Sequence, residues 1–322
     1  MKKVIFDTDI GIDDAMALLF LHYSPEVDLR AIVTGFGNAG IEDTTRNALY
    51  MKERFCIDAP VYRGAGQALG ERLGDGYPDF VHGRNGLGDI ELTEPKDQAA
   101  ALDGADAIIQ IAREFPREIS IVAVGRLTNL ALALERCPEL PALVREVVVM
   151  GGAFGFNGHH GNVSPVAEAN IAGDPLAADY VFTSGLQTTI VGLDVTQETV
   201  ADDHFFETLR KNAGDAGEFI DRISRCYLDF HERVTGSHAC PVHDSSAVAY
   251  LLHPDFYGTT EAAVRVARDG IAMGQTICGD PAVDYEAKDW KGRPLVRICT
   301  TVQAHMVLET YLDTLALAGD QS

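Results

Sequence analysis

Short apolar runs and amphipathic stretches alternate along the first two-thirds of this chain. "KVIF" stands before "DDAMALLFLHY", "LRAIVTGFG" before "EDTTRNALYMKERF", and "ISIVAVG" before "TNLALALERC". "EVVVMGG" comes next, and "PLAADYVFTSG" leads into "TTIVGLDV". β-Branched runs that each hand over to a helical period predict βαβ units. The runs are continuously apolar, as in strands buried on both faces. The expected fold is therefore α/β, with a mostly parallel central sheet flanked by helices. From Ala201 to about Tyr250 the pattern turns mainly helical and includes "DDHFFETLRKN" and "GEFIDRISRCYLDFHERV". No repeat, low-complexity tract or linker interrupts the chain, so one domain over 1–322 is expected. The glycine-rich stretches "RGAGQALGERLGDGYPDFVHGRNGLGD" and "GGAFGFNGHHGN" then read as functional loops within it.

Open parallel sheets bind ligands outside the carboxyl ends of their strands. On that edge the pattern places Asp7 and Asp9 after the first strand and Asn38 after the second. Val124-Gly125 end a third, Met150-Gly151-Gly152 a fourth, and Asp194 a fifth. Each alone could simply cap a turn. The stretch "VIFDTDIGIDDAMALL" is harder to explain that way, because Asp7, Asp9, Asp13 and Asp14 fall within eight residues. Asp13 and Asp14 suit the first turn of a helix. Gly11, free to take positive φ, would fold Asp14 back toward Asp9. Carboxylates this close raise one another's pKa and oppose folding unless a cation joins them. An all-oxygen ligand set implies a hard ion, Ca2+ or Mg2+.

The chain has 322 residues, 46% of them hydrophobic, ample for a sizeable core. Its 48 acidic and 26 basic residues give a net charge of −22. That excess repels nucleic acid and anionic membranes, so neither is expected as a partner. No leader-like apolar segment opens the sequence, and no run is long enough for a membrane span. Six scattered cysteines with no CxxC pair suggest reduced, mostly buried thiols in a cytoplasmic protein and argue against zinc.

"DTDIGIDDA" closely resembles the aspartate motif of the inosine–uridine-type nucleoside hydrolases. "HGRNGLG", "VAVGRLTNLA", "VVVMGG", "GNVSPVAEANIAGDP" and "HDSSAVAYLL" resemble further blocks of that family, in its order. The match is good to about residue 255 and loose beyond. The resemblance implies hydrolysis of the bond between nucleobase and ribose, with one Ca2+ at the pocket floor. Asp9, Asp14 and Asp244 would be its carboxylate ligands and the Val124 carbonyl another, with Asp7 behind them. Asp9 would also be the general base. Asp13, Asn38, Asn162, Glu168 and Asn170 would bind ribose; an extended Glu168-x-Asn170 would send both side chains to one face. His82 and His243 would meet the leaving base, His243 as proton donor to purines. Tyr227 and His231, one helical turn apart, could also face the base, and Met150 would pack at the wall. A homodimer or homotetramer is implied too. The chain departs from the usual motifs at Ile10, Ala169 and Ser245-Ser246; Ala169, where an aromatic is usual, would widen the wall near the ribose 5′ group. Two other readings fit parts of the sequence. "VIFDTD" suits a haloacid-dehalogenase-type Mg2+ phosphatase with an aspartate nucleophile. A non-catalytic nucleoside-binding module would use the same pocket.

Overall fold

The computed structural model describes residues 1–70 and 76–319. Residues 71–75, in the middle of the first glycine-rich stretch, lie outside the described residues. The strands are β1 (Lys2–Thr8), β2 (Val27–Thr34), β3 (Val61–Arg63), β4 (Ile119–Ala123), β5 (Glu146–Met150) and β6 (Thr188–Val191). They continue with β7 (Val200–Asp202), β8 (Ala239–Pro241), β9 (Tyr257–Val266), β10 (Thr276–Cys278) and β11 (Leu295–Val302). Nine of them form one sheet in the order β10-β9-β11-β6-β5-β4-β1-β2-β3. β1 pairs parallel with both β2 and β4, and the parallel pairing extends through β5 and β6 to β11. β9 and β10 are antiparallel additions at one edge.

Residues alternate between two cores, as the strand period requires. Val4 and Phe6 of β1, with Ile32, Val122 and Val148, face one layer of helices. Ile5, with Val33, Ile121 and Val149, faces the other. The chain runs β1 to β2 to β3 toward one edge, then returns to place β4 on the other side of β1. This reversal opens a crevice beyond the carboxyl ends of β1 and β4, where doubly wound sheets bind ligands.

The helix Ile12–Tyr23 is buried from Ile12 to Leu21, because three other helices cover it. One of them, Gly214–Thr235, has 22 residues and lies with Asp203–Asn212 and Asp244–Leu252 in the stretch expected to be helical. The small antiparallel pair β7-β8, absent from that expectation, also falls there. All six cysteines are free; Cys137, Cys240 and Cys299 are buried, whereas Cys56 is exposed, so burial is less general than expected. No helix among the described residues is long and apolar enough to cross a membrane.

Candidate active site

The turn after β1 builds the first half of the site. Asp14, in the opening turn of helix Ile12–Tyr23, is the knot that closes it. Its Oδ1 accepts from Thr8 Oγ1 at 2.6 Å and the Asp9 backbone N–H at 3.2 Å. Its Oδ2 accepts from the Gly11 N–H at 2.9 Å and Asn38 Nδ2 at 2.7 Å. Gly11 does not take positive φ; it sits at φ −105°. Glycine is required there for closeness, since a Cβ would stand 2.6 Å from Asn38 Nδ2 and 2.7 Å from His82 Nδ1.

Asp9 Oδ2 accepts the Asn38 backbone N–H at 2.7 Å. Its Oδ1 is buried with no hydrogen-bond partner, as are Asp13 Oδ1 and Asp7 Oδ2. Asn129 Nδ2 holds the other oxygen of Asp7 at 2.8 Å. Asp244, first residue of helix Asp244–Leu252, completes the cluster: carboxylate oxygens of Asp13, Asp14 and Asp244 lie within 4.8 Å of one another. Burial pushes the Asp7 carboxyl up to about 7. Burial and then the charge of Asp14 push Asp13 up to about 8. The same two causes raise Asp9, while Arg126 and the Asn38 N–H pull it back. Burial, followed by Asp13 and Asp14, raises Asp244.

Beyond β4 and β5 a second group gathers. Glu168 is not in an extended segment with Asn170. It caps the short helix Ala169–Gly173, accepting from the Asn170 and Ile171 N–H groups at 2.9 and 3.1 Å. It also accepts from the Gly152 N–H at 2.9 Å. Capping wins because a carboxylate can satisfy orphan donors there. Asn170 still meets the site, because its Nδ2 donates to the Val124 carbonyl at 2.7 Å and to the Met150 carbonyl at 3.2 Å. Asn162 is exposed at the rim, its Oδ1 accepting from the Ala169 N–H at 3.0 Å.

The aromatic side comes from His82 and helix Gly214–Thr235. His82 stacks on Tyr227 at 5.8 Å, and Tyr227 meets His231 edge-on at 4.7 Å. The Ile12 N–H donates to His82 Nδ1 at 3.2 Å, so the ring proton belongs on Nε2. His243 Nδ1 pairs with Thr196 Oγ1 at 2.8 Å. Burial lowers His82 to about 4 and, with the neighbouring histidines, His243 to about 3. Burial lowers His231 as well, and its Nε2 has no hydrogen-bond partner.

Residues 4–309 match the family described as inosine-uridine preferring nucleoside hydrolase. The chain belongs to this nucleoside hydrolase family. It is 38% identical over 314 residues to uridine nucleosidase 1 of Arabidopsis thaliana, covering 96% of this chain and 91% of that one. It is 35% identical to a pyrimidine-specific ribonucleoside hydrolase of Escherichia coli, covering 88% of each. Among solved structures, a plant nucleoside hydrolase superposes with a TM-score of 0.93 at 37% identity, covering 98% of this chain and 99% of that one. A purine-preferring ribonucleoside hydrolase from Gardnerella vaginalis gives 0.90 at 30% identity, covering 99% and 100%. This nucleoside hydrolase therefore acts on N-glycosyl compounds, hydrolysing ribonucleosides. The phosphatase and non-catalytic readings fall with that membership.

The family is metal-dependent, and the residues of this nucleoside hydrolase fit a cation. The clustered donors are carboxylates, and one buried oxygen each of Asp13 in the cluster and of Asp7 and Asp9 in the same opening motif lacks a partner. Uncompensated buried charge of that kind is costly. Among the residues not singled out in the sequence, Asn129 ties strand ends together: it serves Asp7, the Thr34 carbonyl at 3.2 Å and the Ala65 N–H at 2.8 Å. Thr8 and Thr196 buttress Asp14 and His243 in the same way. Asn129 lies inside "VAVGRLTNLA", but nothing in its spacing sets it apart from an ordinary helix-start residue.

Proposed function

We propose that this chain is a single-domain, Ca2+-dependent ribonucleoside hydrolase that releases ribose from pyrimidine nucleosides, uridine first. The observation that carries the metal reading is the buried, unpaired Asp9 Oδ1 beside the Asp13-Asp14-Asp244 cluster. Asp9, Asp14, Asp244 and the Val124 carbonyl would hold the ion, with oxygen-only chemistry that suits Ca2+. When bound, Ca2+ supplies the positive charge that offsets the cluster and makes water more acidic.

The rest of the work belongs to the chain. Asp9 uses its free Oδ1 to take a proton from water, while Asn38 anchors its other oxygen. Asp13, with its own free oxygen, meets a ribose hydroxyl. Glu168, Asn162 and Asn170 line the sugar; Asn38 holds Asp9 and Asp14 in place before any sugar arrives. The surrounding carboxylates favour the positive charge that develops on the ribosyl group as the base departs. His82 offers a neutral Nε2–H donor to the base, and Tyr227, His231 and His243 complete that wall. Met150 packs behind Asn170.

The pyrimidine preference rests on the names carried by the plant and bacterial relatives. A homodimer or homotetramer and a cytoplasmic location accompany this reading; the free thiols fit a reducing compartment. The test is a panel of ribonucleosides with free ribose as the readout, run with Ca2+ and after chelation. Release from uridine that vanishes with chelator and returns with Ca2+ supports the proposal. No release above background from any nucleoside with Ca2+ present would overturn it.

A further inference from the structure

We infer that Arg126 is a positioning residue for the hydrolytic step, fixing the turn that holds Asp9 against the helix that carries Asn170. The inference rests on the reading of Asp9 as the base. Arg126 is the second residue after the Val124 carbonyl, at the end of β4. Its guanidinium carbon lies 4.4 Å from the centre of the Phe36 ring. Phe36 is buried and belongs to the same turn as Gly37 and Asn38. That turn gives its Asn38 N–H to Asp9 Oδ2 at 2.7 Å and its Asn38 side chain to Asp14 at 2.7 Å. The arginine stem also lies flat on the helix that carries Asn170, because a Cβ at Gly173 would stand 2.1 Å from Arg126 Nε.

One side chain thus touches the β2 turn that orders Asp9 and the helix capped by Glu168. A planar guanidinium stacked on a ring is rigidly placed, which an ammonium would not match.

This makes a signature that simple damage would not give. Arg126→Met keeps the length of the stem and removes the planar guanidinium that stacks on Phe36. Turnover should fall about tenfold through a misplaced Asp9, with KM for uridine held within about threefold. Arg126→Lys restores charge without the planar stack and should leave most of the loss in place. Turnover of Arg126→Met within about twofold of the parent would overturn the inference. So would full recovery by Arg126→Lys, or a KM that rises as far as turnover falls, the mark of general structural damage. Should Arg126→Met not fold, Phe36→Leu takes away the platform and keeps the charge. Reduced turnover at unchanged KM then supports the role, and parental turnover overturns it. Asp9→Ala run in parallel separates the two readings. If it keeps full turnover, the base assignment itself fails; if it collapses while Arg126→Met does not, only this inference fails.

Discussion

At the residue scale the four aspartates of the opening motif have separable duties. Asp14 accepts four hydrogen bonds, whereas Asp9 and Asp13 each keep a buried oxygen open. An open acceptor is what a base needs, so Asp9→Ala should lower kcat at least about a hundredfold while the chain stays folded. Circular dichroism and a uridine ribose-release assay check both halves; retained turnover would remove Asp9 as base. Gly37 makes an independent probe of the same atom. A Cβ there would stand 1.7 Å from Asp9 Oδ2, so Gly37→Ala must displace the carboxylate. Its turnover should drop about as far as that of Asp9→Ala, without any change in charge. Asp7, Asp9, Asp13 and Asp14 were legible in the sequence because charge crowding at a strand end is conspicuous; Asp244, His243 and Glu168 came only through the family resemblance. The duty of Gly11 was not, because a sequence signals that glycine is present but not whether torsion or closeness demands it. Asn129 and Arg126 act through contacts 122 residues away in the chain and through a stacked ring, which no local pattern encodes.

Among the elements, the first six strands announced themselves unevenly. β1, β2, β4, β5 and β6 are apolar runs with helices after them, so their existence and mostly parallel pairing followed from pattern alone. β3 has only three residues, too few for any periodicity to show. The edge formed by β9, β10 and β11 was missed because those strands alternate buried and exposed residues and are joined by irregular chain. The last helix, Ala304–Gly319, packs its fully buried Tyr311 on Phe20 at 5.0 Å, and the hydroxyl donates to the Met16 carbonyl at 3.2 Å. That helix therefore braces the element whose first turn carries Asp13 and Asp14. Tyr311→Ala should destabilise the chain by about 3–5 kcal/mol, as expected for deleting a buried aromatic. Tyr311→Phe should cost only about 1 kcal/mol, the worth of one hydrogen bond. Urea denaturation of both variants measures the difference; equal costs would mean that the ring does not carry the brace.

For the whole molecule, the net charge of −22 and the buried carboxylates pull in the same direction. Both make the cation-free chain less stable as carboxyls ionise, and a bound cation reverses the effect. The sign follows from the direction of the shifts. Asp7 and Asp13 hold their protons up to about 7 and about 8 in the fold, against 3.8 for an unperturbed group. The folded cation-free chain therefore binds more protons than the unfolded one between those limits, and raising the pH through that window lowers stability. Below about pH 4 both states are protonated at these groups and the penalty is absent. With Ca2+ present the ionised carboxylates are the binding form, so stabilisation by the metal grows over the same window. Chelated protein should lose melting temperature steadily from about pH 5 to pH 8, while Ca2+-saturated protein should change far less. At about a hundredfold excess over its dissociation constant, the ion adds about 2.7 kcal/mol. Thermal melts with and without chelator across that range measure the gap. A gap that stayed constant with pH would mean that these carboxyls are already ionised without the metal, and the cluster would then have to be neutralised by other groups.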